Sequence, residues 1–160
     1  MKYTKIRDVK DPTGLRMEDA GLDFYIPNDW NNGKPMRLYI GQQVNIPSGI
    51  KVKVPQGMML KFDNKSGVSL KRGLVVGATI VDTGYRGECH INLFKVVKGT
   101  EDKRTWYGRR YTVLNPGDKI VQGVLVKIST EGINKISTKQ YDQGPATKRS
   151  TGGFGSTGTK

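Results

Sequence analysis

The sequence predicts an all-β fold, a sandwich or barrel built from many short strands with one short helix. Glycine makes up 21 of the 160 residues, about twice its ordinary share of roughly 7%. The glycines separate short apolar runs, which indicates many turns and few long helices. Residues 50–54 alternate strictly between apolar and charged side chains, as expected of a half-buried strand.

The other predicted strands are apolar, β-rich runs bounded by glycine, proline or asparagine. In chain order they cover residues 36–40, 44–46, 74–76, 91–97, 111–114 and 120–128. This spacing of short strands is typical of a sandwich or barrel.

Residues 66–73 break the β pattern and predict the short helix. Ser66 is the expected N-cap, Lys71 and Arg72 suit the last turn, and Gly73 is expected to end the helix. A helix of this length is not stable alone, so we expect it to pack against the sheet.

Two parts of the chain are predicted, a β core over residues 1–128 and a C-terminal arm over residues 129–160. Residues 150–160 are nearly all glycine, serine and threonine, and such a segment buries too little apolar surface to offset its ordering entropy. It is either a disordered terminus or an arm that orders on a ligand or a neighbouring subunit. Phe154, a lone aromatic among glycines, is suited to covering a flat ring.

Composition excludes several classes of protein. With 27 Lys and Arg against 14 Asp and Glu, the net charge of +13 attracts polyanions, although it also serves solubility. One cysteine and one histidine exclude an internal disulfide and a Cys/His zinc site. No apolar run approaches the roughly 20 residues of a spanning helix, and no signal peptide is evident. We therefore expect a cytoplasmic protein, in a bacterial or viral setting, without membrane contact.

Two polar stretches are interpreted as insertions, residues 27–35 and the segment from Lys98 to Arg110. The second carries five basic residues around Trp106 and Tyr107. Basic residues interleaved with aromatic ones can bind single-stranded nucleic acid. The alternatives are a protein contact and a solvated hairpin tip.

Three carboxylates stand in turn-like contexts, Asp23, Asp82 and Asp118. Each can hold Mg²⁺ through water or orient an attacking water, and each can equally bond its own turn. Asp118 follows Pro-Gly, which favours the turn. Asp82 follows a buried-looking run and precedes Gly-Tyr-Arg-Gly, which favours a site. Cys89 and His90 are expected to point to opposite faces of a strand, in structural roles.

Five short segments in order resemble the motifs of the trimeric dUTPase family. They are Ala20-Gly21-Leu22-Asp23-Phe24, Lys65-Ser66-Gly67-Val68, the run from Gly77 to Glu88, the run from Pro116 to Gln122, and the run from Arg149 to Gly158. The third and fifth are the most specific. Lys65 stands where the family usually has arginine.

The resemblance implies a jelly-roll-like β-barrel with one short helix, assembled as a homotrimer with active sites shared between subunits. The implied reaction is the Mg²⁺-dependent hydrolysis of dUTP to dUMP and pyrophosphate. Such an enzyme limits uracil incorporation into DNA and supplies dUMP for dTMP synthesis.

The resemblance also implies roles for individual residues. Asp82 would activate the attacking water, Gln122 would contact the α-phosphate or that water, and Asp23 would hold Mg²⁺ through water. Tyr85 would pack under the deoxyribose and exclude a 2′-hydroxyl. The implied phosphate contacts are Lys65, Ser66, Gly67, Arg149, Ser156 and Thr157, and the implied uracil contacts are the backbone of Gly77, Ala78 and Thr79 with Phe154 and Gly155 as a cover.

Two other functions are consistent with the same residues. A dCTP deaminase would need a glutamate base near the pyrimidine, for which Glu88 is available. A basic β-domain could instead act only as a nucleic-acid-binding module through the segment from Lys98 to Arg110.

Overall fold

The computed structural model describes residues 1–14, 18–129 and 131–144. The chain divides into two compact units, Met1–Ser129 and Thr130–Lys160. In the second unit the described residues include one short helix, Thr138–Asp142, which begins with a capping box between Ser137 and Gln140. The sequence pattern did not predict this helix.

The first unit is built from short antiparallel strands, and the predicted all-β class is confirmed. The strands are β1 (Lys2–Lys5), β2 (Leu22–Tyr25), β3 (Met36–Tyr39), β4 (Gln43–Lys53), β5 (Met58–Asp63), β6 (Leu74–Val76), β7 (Ile80–Val81), β8 (Glu88–Lys95), β9 (Lys103–Arg104), β10 (Arg110–Leu114) and β11 (Lys119–Lys127). They form sheets in the orders β1-β4-β8-β6, β2-β11-β5-β7 and β3-β10-β9.

One hydrophobic core joins these sheets. Phe24 and Phe62 meet edge to face at its centre, with ring centroids 5.0 Å apart. Along β8 the side chains alternate, so Cys89 and Ile91 are buried while His90 is exposed. The predicted opposite orientation of Cys89 and His90 is confirmed.

Strand β4 joins two runs that the sequence predicted as separate strands. Its register against β8 shifts between Pro47 and Lys51, where a bulge interrupts the pairing. The hydroxyl of Ser48 accepts a hydrogen bond from the Ile50 amide at 3.2 Å inside this bulge. Because proline is tolerated at a bulge, the strand continues through Pro47.

The predicted helix is present as α1, Ser66–Arg72, but its N-cap is Lys65 rather than Ser66. The N-cap side chain makes no capping hydrogen bond. Gly73 ends the helix as predicted, since its φ of 61° lies in the left-handed region that glycine adopts most easily.

The last carbonyl groups of α1 are all hydrogen-bonded, chiefly by the segment that follows β8. The Gly73 amide donates to Ser69 at 2.9 Å, the Thr100 amide to Leu70 at 3.3 Å and the Glu101 amide to Lys71 at 2.9 Å. The Lys95 ammonium donates to the Arg72 carbonyl at 2.7 Å. These bonds fix the base of the segment from Lys98 to Arg110 against the helix.

Both predicted insertions have local structure. Residues 27–35 include a 3₁₀ turn, Trp30–Gly33, in which Asn31 and Asn32 have φ values of 53° and 55°. The segment from Lys98 to Arg110 contains β9 and the turn that leads into β10, with which β9 forms a hairpin. No helix within the described residues is long and apolar enough to cross a membrane.

Candidate active site

Two groups of predicted site residues lie at opposite edges of the sheet β2-β11-β5-β7. The first group surrounds Asp23 on edge strand β2. The second surrounds Asp82, which directly follows edge strand β7.

Asp23 is held between two ammonium groups. Its Oδ2 lies 2.8 Å from Nζ of Lys119, and its Oδ1 accepts a hydrogen bond from Nζ of Lys65. Partial burial alone would raise the pKa of Asp23, but the hydrogen bonds and charges of Lys119 and Lys65 outweigh it and leave the pKa below its ordinary value. The site therefore holds an ionised carboxylate at neutral pH beside two cations.

Gln122 lies next to this carboxylate on β11, opposite both Asp23 and Asp63 in the register of the sheet. Its side-chain amide donates to the carbonyl of Asn64 at 3.0 Å. Asn64 directly precedes Lys65, Ser66 and Gly67, the residues at the start of α1. The structure thus brings together the first, second and fourth sequence motifs.

Three residues around this group were not predicted as site residues. Lys119 stands in the fourth motif one residue before the apolar run, and its contact with Asp23 depends on the pairing of β11 with β2. Asn64 supports the loop, since its Oδ1 accepts from the Val76 amide at 2.8 Å. Arg72 donates to Asp118 at 2.7 Å.

Asp118 is a turn residue, as its Pro-Gly context predicted. Its Oδ2 accepts from the Asn115 amide at 3.0 Å, and the Asp118 amide donates to the Asn115 carbonyl at 3.1 Å. Because the same oxygen also accepts from Arg72, the turn ties the fourth motif to α1.

Asp82 opens onto a cavity of about 200 Å³ that also includes Ala78 and Tyr85 from the third motif. The lining residues are Phe62, Ala78, Ile80, Val81, Asp82, Tyr85, Cys89 and His90. Asp82 is exposed, and among the described residues no side chain bonds or ion-pairs with its carboxylate. Its oxygens are therefore available to a ligand or a water molecule.

The loop that carries Asp82 is fixed by its own hydrogen bonds. The Thr83 hydroxyl donates to the Met58 carbonyl at 2.7 Å, and the Arg86 guanidinium donates to the Thr83 carbonyl at 2.6 Å. The Tyr85 hydroxyl donates to the Glu88 carbonyl at 2.8 Å. A Cβ at Gly87 would lie 2.3 Å from that hydroxyl, so the absence of a side chain there lets the Tyr85 ring lie flat along the turn.

The backbone from Gly77 to Thr79 is only partly free. The Gly77 amide donates to Asn92 at 2.9 Å, and the Thr79 carbonyl accepts from Phe62 at 2.7 Å. A Cβ at Gly77 would lie 2.1 Å from Oδ1 of Asn92 and 2.3 Å from the Phe94 ring, so a larger residue would require both side chains to move. The amide and carbonyl groups of Ala78 have no hydrogen-bond partner within the described part of the chain. These are the backbone groups that could hydrogen-bond a base.

Asp23 and Asp82 lie at opposite edges of the sheet β2-β11-β5-β7 in one chain. Three strand spacings of about 4.8 Å separate the edges of the sheet, which gives roughly 14 Å. The two residues are also offset along the strand direction. Asp23 is level with Asp63 on β5, whereas Val81, which precedes Asp82, is level with Leu60.

Glu88, the candidate deaminase base, does not line the cavity beside Asp82. Its Oε1 accepts from the Arg7 guanidinium at 2.8 Å and from the Gly49 amide at 2.8 Å. Burial by itself would raise the pKa of Glu88. The two hydrogen bonds and the charge of Arg7 outweigh this effect, so the pKa lies below its ordinary value. Glu88 therefore has a structural role that its position in the sequence did not reveal.

A magnesium ion fits the Asp23 group only if it is held through water. Within the described residues, no three His, Cys, Asp or Glu side chains are grouped to hold a metal. Asp23 supplies one ionised carboxylate, and Mg²⁺ commonly keeps several waters while binding one carboxylate and substrate phosphates. The expected fifth-motif contacts, Arg149, Phe154, Gly155, Ser156 and Thr157, lie outside the described residues.

The fold and the two groups define an all-β protein with two lysine ammonium groups, which can bind phosphate, beside an ionised carboxylate. A family model described as dUTPase matches residues 7–158. The chain belongs to the dUTPase family. The resemblance that the five motifs predicted is confirmed.

Individual relatives agree with this assignment. The deoxyuridine 5'-triphosphate nucleotidohydrolase of Maricaulis maris is 33% identical over 147 residues, covering 89% of this chain and 84% of that protein. The protein of the same name from Chlamydia muridarum is 32% identical over 130 residues, covering 80% of this chain and 79% of that one.

Solved structures share the fold. A variant of the Staphylococcus bacteriophage 80alpha dUTPase with dUpNHpp gives a TM-score of 0.74 at 21% identity, over 98% of this chain and 97% of that one. The dUTPase from phage phi11 of S. aureus gives 0.69 at 22% identity, over 84% and 94%.

Proposed function

We propose that this chain is a dUTP diphosphatase that hydrolyses dUTP to dUMP and pyrophosphate. The observation that carries the proposal is the convergence of Asp23, Lys65, Lys119 and Gln122 from three separate motifs into one charged group. Its relatives are named as deoxyuridine 5'-triphosphate nucleotidohydrolases.

The cavity beside Asp82 is proposed to hold the nucleoside. The backbone of Ala78 can match the O4 and N3–H edge of uracil, and cytosine would leave buried groups unpaired because its donor and acceptor are exchanged there. The Tyr85 ring would lie under the deoxyribose and leave no room for a 2′-hydroxyl.

Asp82 is proposed to orient and deprotonate the attacking water. The water oxygen forms a bond to the α-phosphorus, and the bond from that phosphorus to the bridging oxygen breaks. The proton passes to the Asp82 carboxylate, and pyrophosphate leaves with the bond's electron pair. Gln122 is placed to contact the α-phosphate or the water.

The cations of the first group are proposed to bind the phosphate chain. Lys65 and Lys119 both form ion pairs with the Asp23 carboxylate in the free protein. A triphosphate would compete with that carboxylate for their ammonium groups. Ser66 and Gly67, both exposed at the start of α1, would add contacts from the helix turn. Arg149, Ser156 and Thr157 would bind the terminal phosphates from the arm, while Phe154 and Gly155 would cover the uracil.

Asp23 is proposed to hold Mg²⁺ through water. When bound, the ion supplies positive charge that positions the triphosphate and offsets charge on the leaving pyrophosphate. A variant of the phage phi11 dUTPase is described for its coordination of a structural Mg(II) ion.

The separation of Asp23 and Asp82 supports active sites formed between subunits, in the homotrimer that the five motifs imply. A substrate that binds its base beside Asp82 of one chain would reach the Asp23 group of another. Closed rotational symmetry then gives every subunit pair the same site. The arm of residues 129–160 is proposed to act as a separate closing segment.

Mixing two inactive variants tests this arrangement. Asp82→Asn and Asp23→Asn are each expected to abolish Mg²⁺-dependent pyrophosphate release from dUTP. When the two are unfolded together and refolded at equal concentration, about a quarter of the sites should combine both intact carboxylates, if subunits mix randomly. Refolded parent protein is the control for yield.

The possible outcomes separate the claims. Full activity of Asp82→Asn would refute the catalytic role of that carboxylate. Mixed, correctly sized oligomers without recovered activity would refute the shared site. Ammonia release from dCTP by the parent protein would overturn the diphosphatase assignment.

A further inference from the structure

We propose that the hairpin of β9 and β10 binds single-stranded nucleic acid, by base stacking on Trp106 and Tyr107 and by phosphate contacts with the basic residues around them. The segment from Lys103 to Arg110 contains four basic residues and no acidic one. None of the steps proposed for dUTP hydrolysis uses this segment.

The aromatic residues at the hairpin tip are strongly exposed. Trp106 is 95% exposed and Tyr107 is 56% exposed. Both occupy the turn between Thr105 and Gly108, which is closed by a hydrogen bond from the Gly108 amide to the Thr105 carbonyl at 3.0 Å. Their rings meet edge to face at a centroid distance of 5.4 Å, so each ring leaves a flat surface on which a base can stack.

The charges on the hairpin repel one another in the free protein. Arg104 and Arg110 are direct cross-strand partners, a pairing of like charges that destabilises a sheet. Within the described residues, neither of them nor Lys103 makes a salt bridge. A phosphate bound between the two guanidinium groups would offset this repulsion, which favours a polyanion as the ligand.

The base of the hairpin is rigid. Lys95 and Asp102 form a fully buried ion pair at 2.8 Å just before β9. Nearer the tip, the guanidinium of Arg109, directly before β10, lies 4.5 Å from the centre of the Tyr39 ring. The exposed tip therefore extends from a fixed support, and binding would cost little additional ordering.

Unpaired bases fit this surface better than a duplex does. Stacking on Trp106 needs a base whose face is open, and the hairpin is too short to read the edges of paired bases in a groove. The overall charge of +13 would add a non-specific attraction to either form.

Fluorescence anisotropy with a labelled oligothymidine strand tests the proposal, with the full chain in its native oligomer and without dUTP. Trp106→Ala is expected to weaken binding about 10- to 100-fold, and Trp106→Phe, which keeps a ring, is expected to weaken it much less. If all four basic residues contact phosphates, a fourfold rise in salt should weaken binding of the parent by about 50-fold.

A matched pair of charge variants separates local contact from the general field. Lys103→Gln with Arg104→Gln should lower the salt dependence, because about two phosphate contacts are lost. Lys51→Gln with Lys53→Gln removes the same charge from another exposed face and should leave the salt dependence close to that of the parent.

Equal weakening by the two charge variants, unchanged binding by Trp106→Ala, or equal affinity for a duplex would each overturn the proposal. A change of oligomeric state in Trp106→Ala, measured by sedimentation, would also overturn it by making the hairpin an interface between copies. Asp82→Asn should bind the strand as the parent does, so failure of this proposal is distinguishable from failure of the diphosphatase function.

Discussion

Removing the buried ammonium of Lys95 is expected to be among the most destabilising single changes in the core. Lys95 occupies an inward position of β8 and is fully buried. Its three donors are all used, by the Arg72 carbonyl at 2.7 Å, the Val97 carbonyl at 3.1 Å and Oδ1 of Asp102 at 2.8 Å. The other carboxylate oxygen of Asp102 has no partner within the described structure.

The expected loss of stability depends on the charge that Lys95→Met leaves unpaired. Lys95→Met keeps much of the side-chain volume but leaves the Asp102 carboxylate buried without a counter-charge. Breaking one side of a buried ion pair costs about 3–5 kcal/mol of the free energy of unfolding. Lys95→Met with Asp102→Leu removes both charges, so the cost should fall to about 1–3 kcal/mol, from the two carbonyl groups that lose a donor.

Urea denaturation at a fixed protein concentration measures these differences, because the stability of an oligomer depends on concentration. The double variant should be more stable than Lys95→Met alone. A loss below about 1 kcal/mol for Lys95→Met, or a double variant as unstable as the sum of the two single variants, would contradict the buried pair.

Three further predictions concern other parts of the molecule. Glu88→Gln should lower the free energy of unfolding by about 1–2 kcal/mol at neutral pH. Because the pKa of Glu88 is depressed on folding, its stabilising contribution is complete above the ordinary value of 4.5 and is lost as the pH falls through the lower folded value. Unfolding measured from neutral to acid pH should therefore show the difference in stability between parent and variant decreasing. A stability difference that stays constant with pH would contradict the depressed pKa of Glu88. Burial raises the pKa of the Cys89 thiol to about 11, so thiol-reactive reagents should label the native protein slowly at mildly alkaline pH and the denatured protein rapidly; fast native labelling would show that the core opens. Tyr85→Ala should raise UTP hydrolysis relative to dUTP, since the ring that limits space for a 2′-hydroxyl is gone, and an unchanged ratio of kcat/KM values would exclude that role.

Local sequence signals predicted most of the β elements. Strict alternation marked residues 50–54, and the buried and exposed sides of Cys89 and His90 followed from their neighbouring positions in a strand. Gly73 ended the helix because the left-handed conformation suits glycine. Five strands of the described structure were not predicted: β1, β2, β5, β7 and β9. Charged residues interrupt the apolar runs of β2 and β5, β1 and β9 are rich in basic residues, and β7 has only two residues.

The candidate site was only partly predictable. The motifs identified Asp23, Lys65 and Gln122 as related residues, but not the contact of Lys119 with Asp23, which exists because β11 pairs with β2 in one particular register. The buried charge of Lys95 was equally hidden. A lysine in an apolar strand gives no sign that a carboxylate seven residues later will meet it.

The sequence by itself determined the family, the all-β class and the residue types available for chemistry, because these depend on local pattern and on motifs read in order. Only the tertiary structure decided which groups meet. Strand order sets Asp23 and Asp82 at opposite edges of one sheet, and this follows from pairings between segments far apart in the chain. That separation is the physical reason for proposing that the active site forms between two copies of the chain.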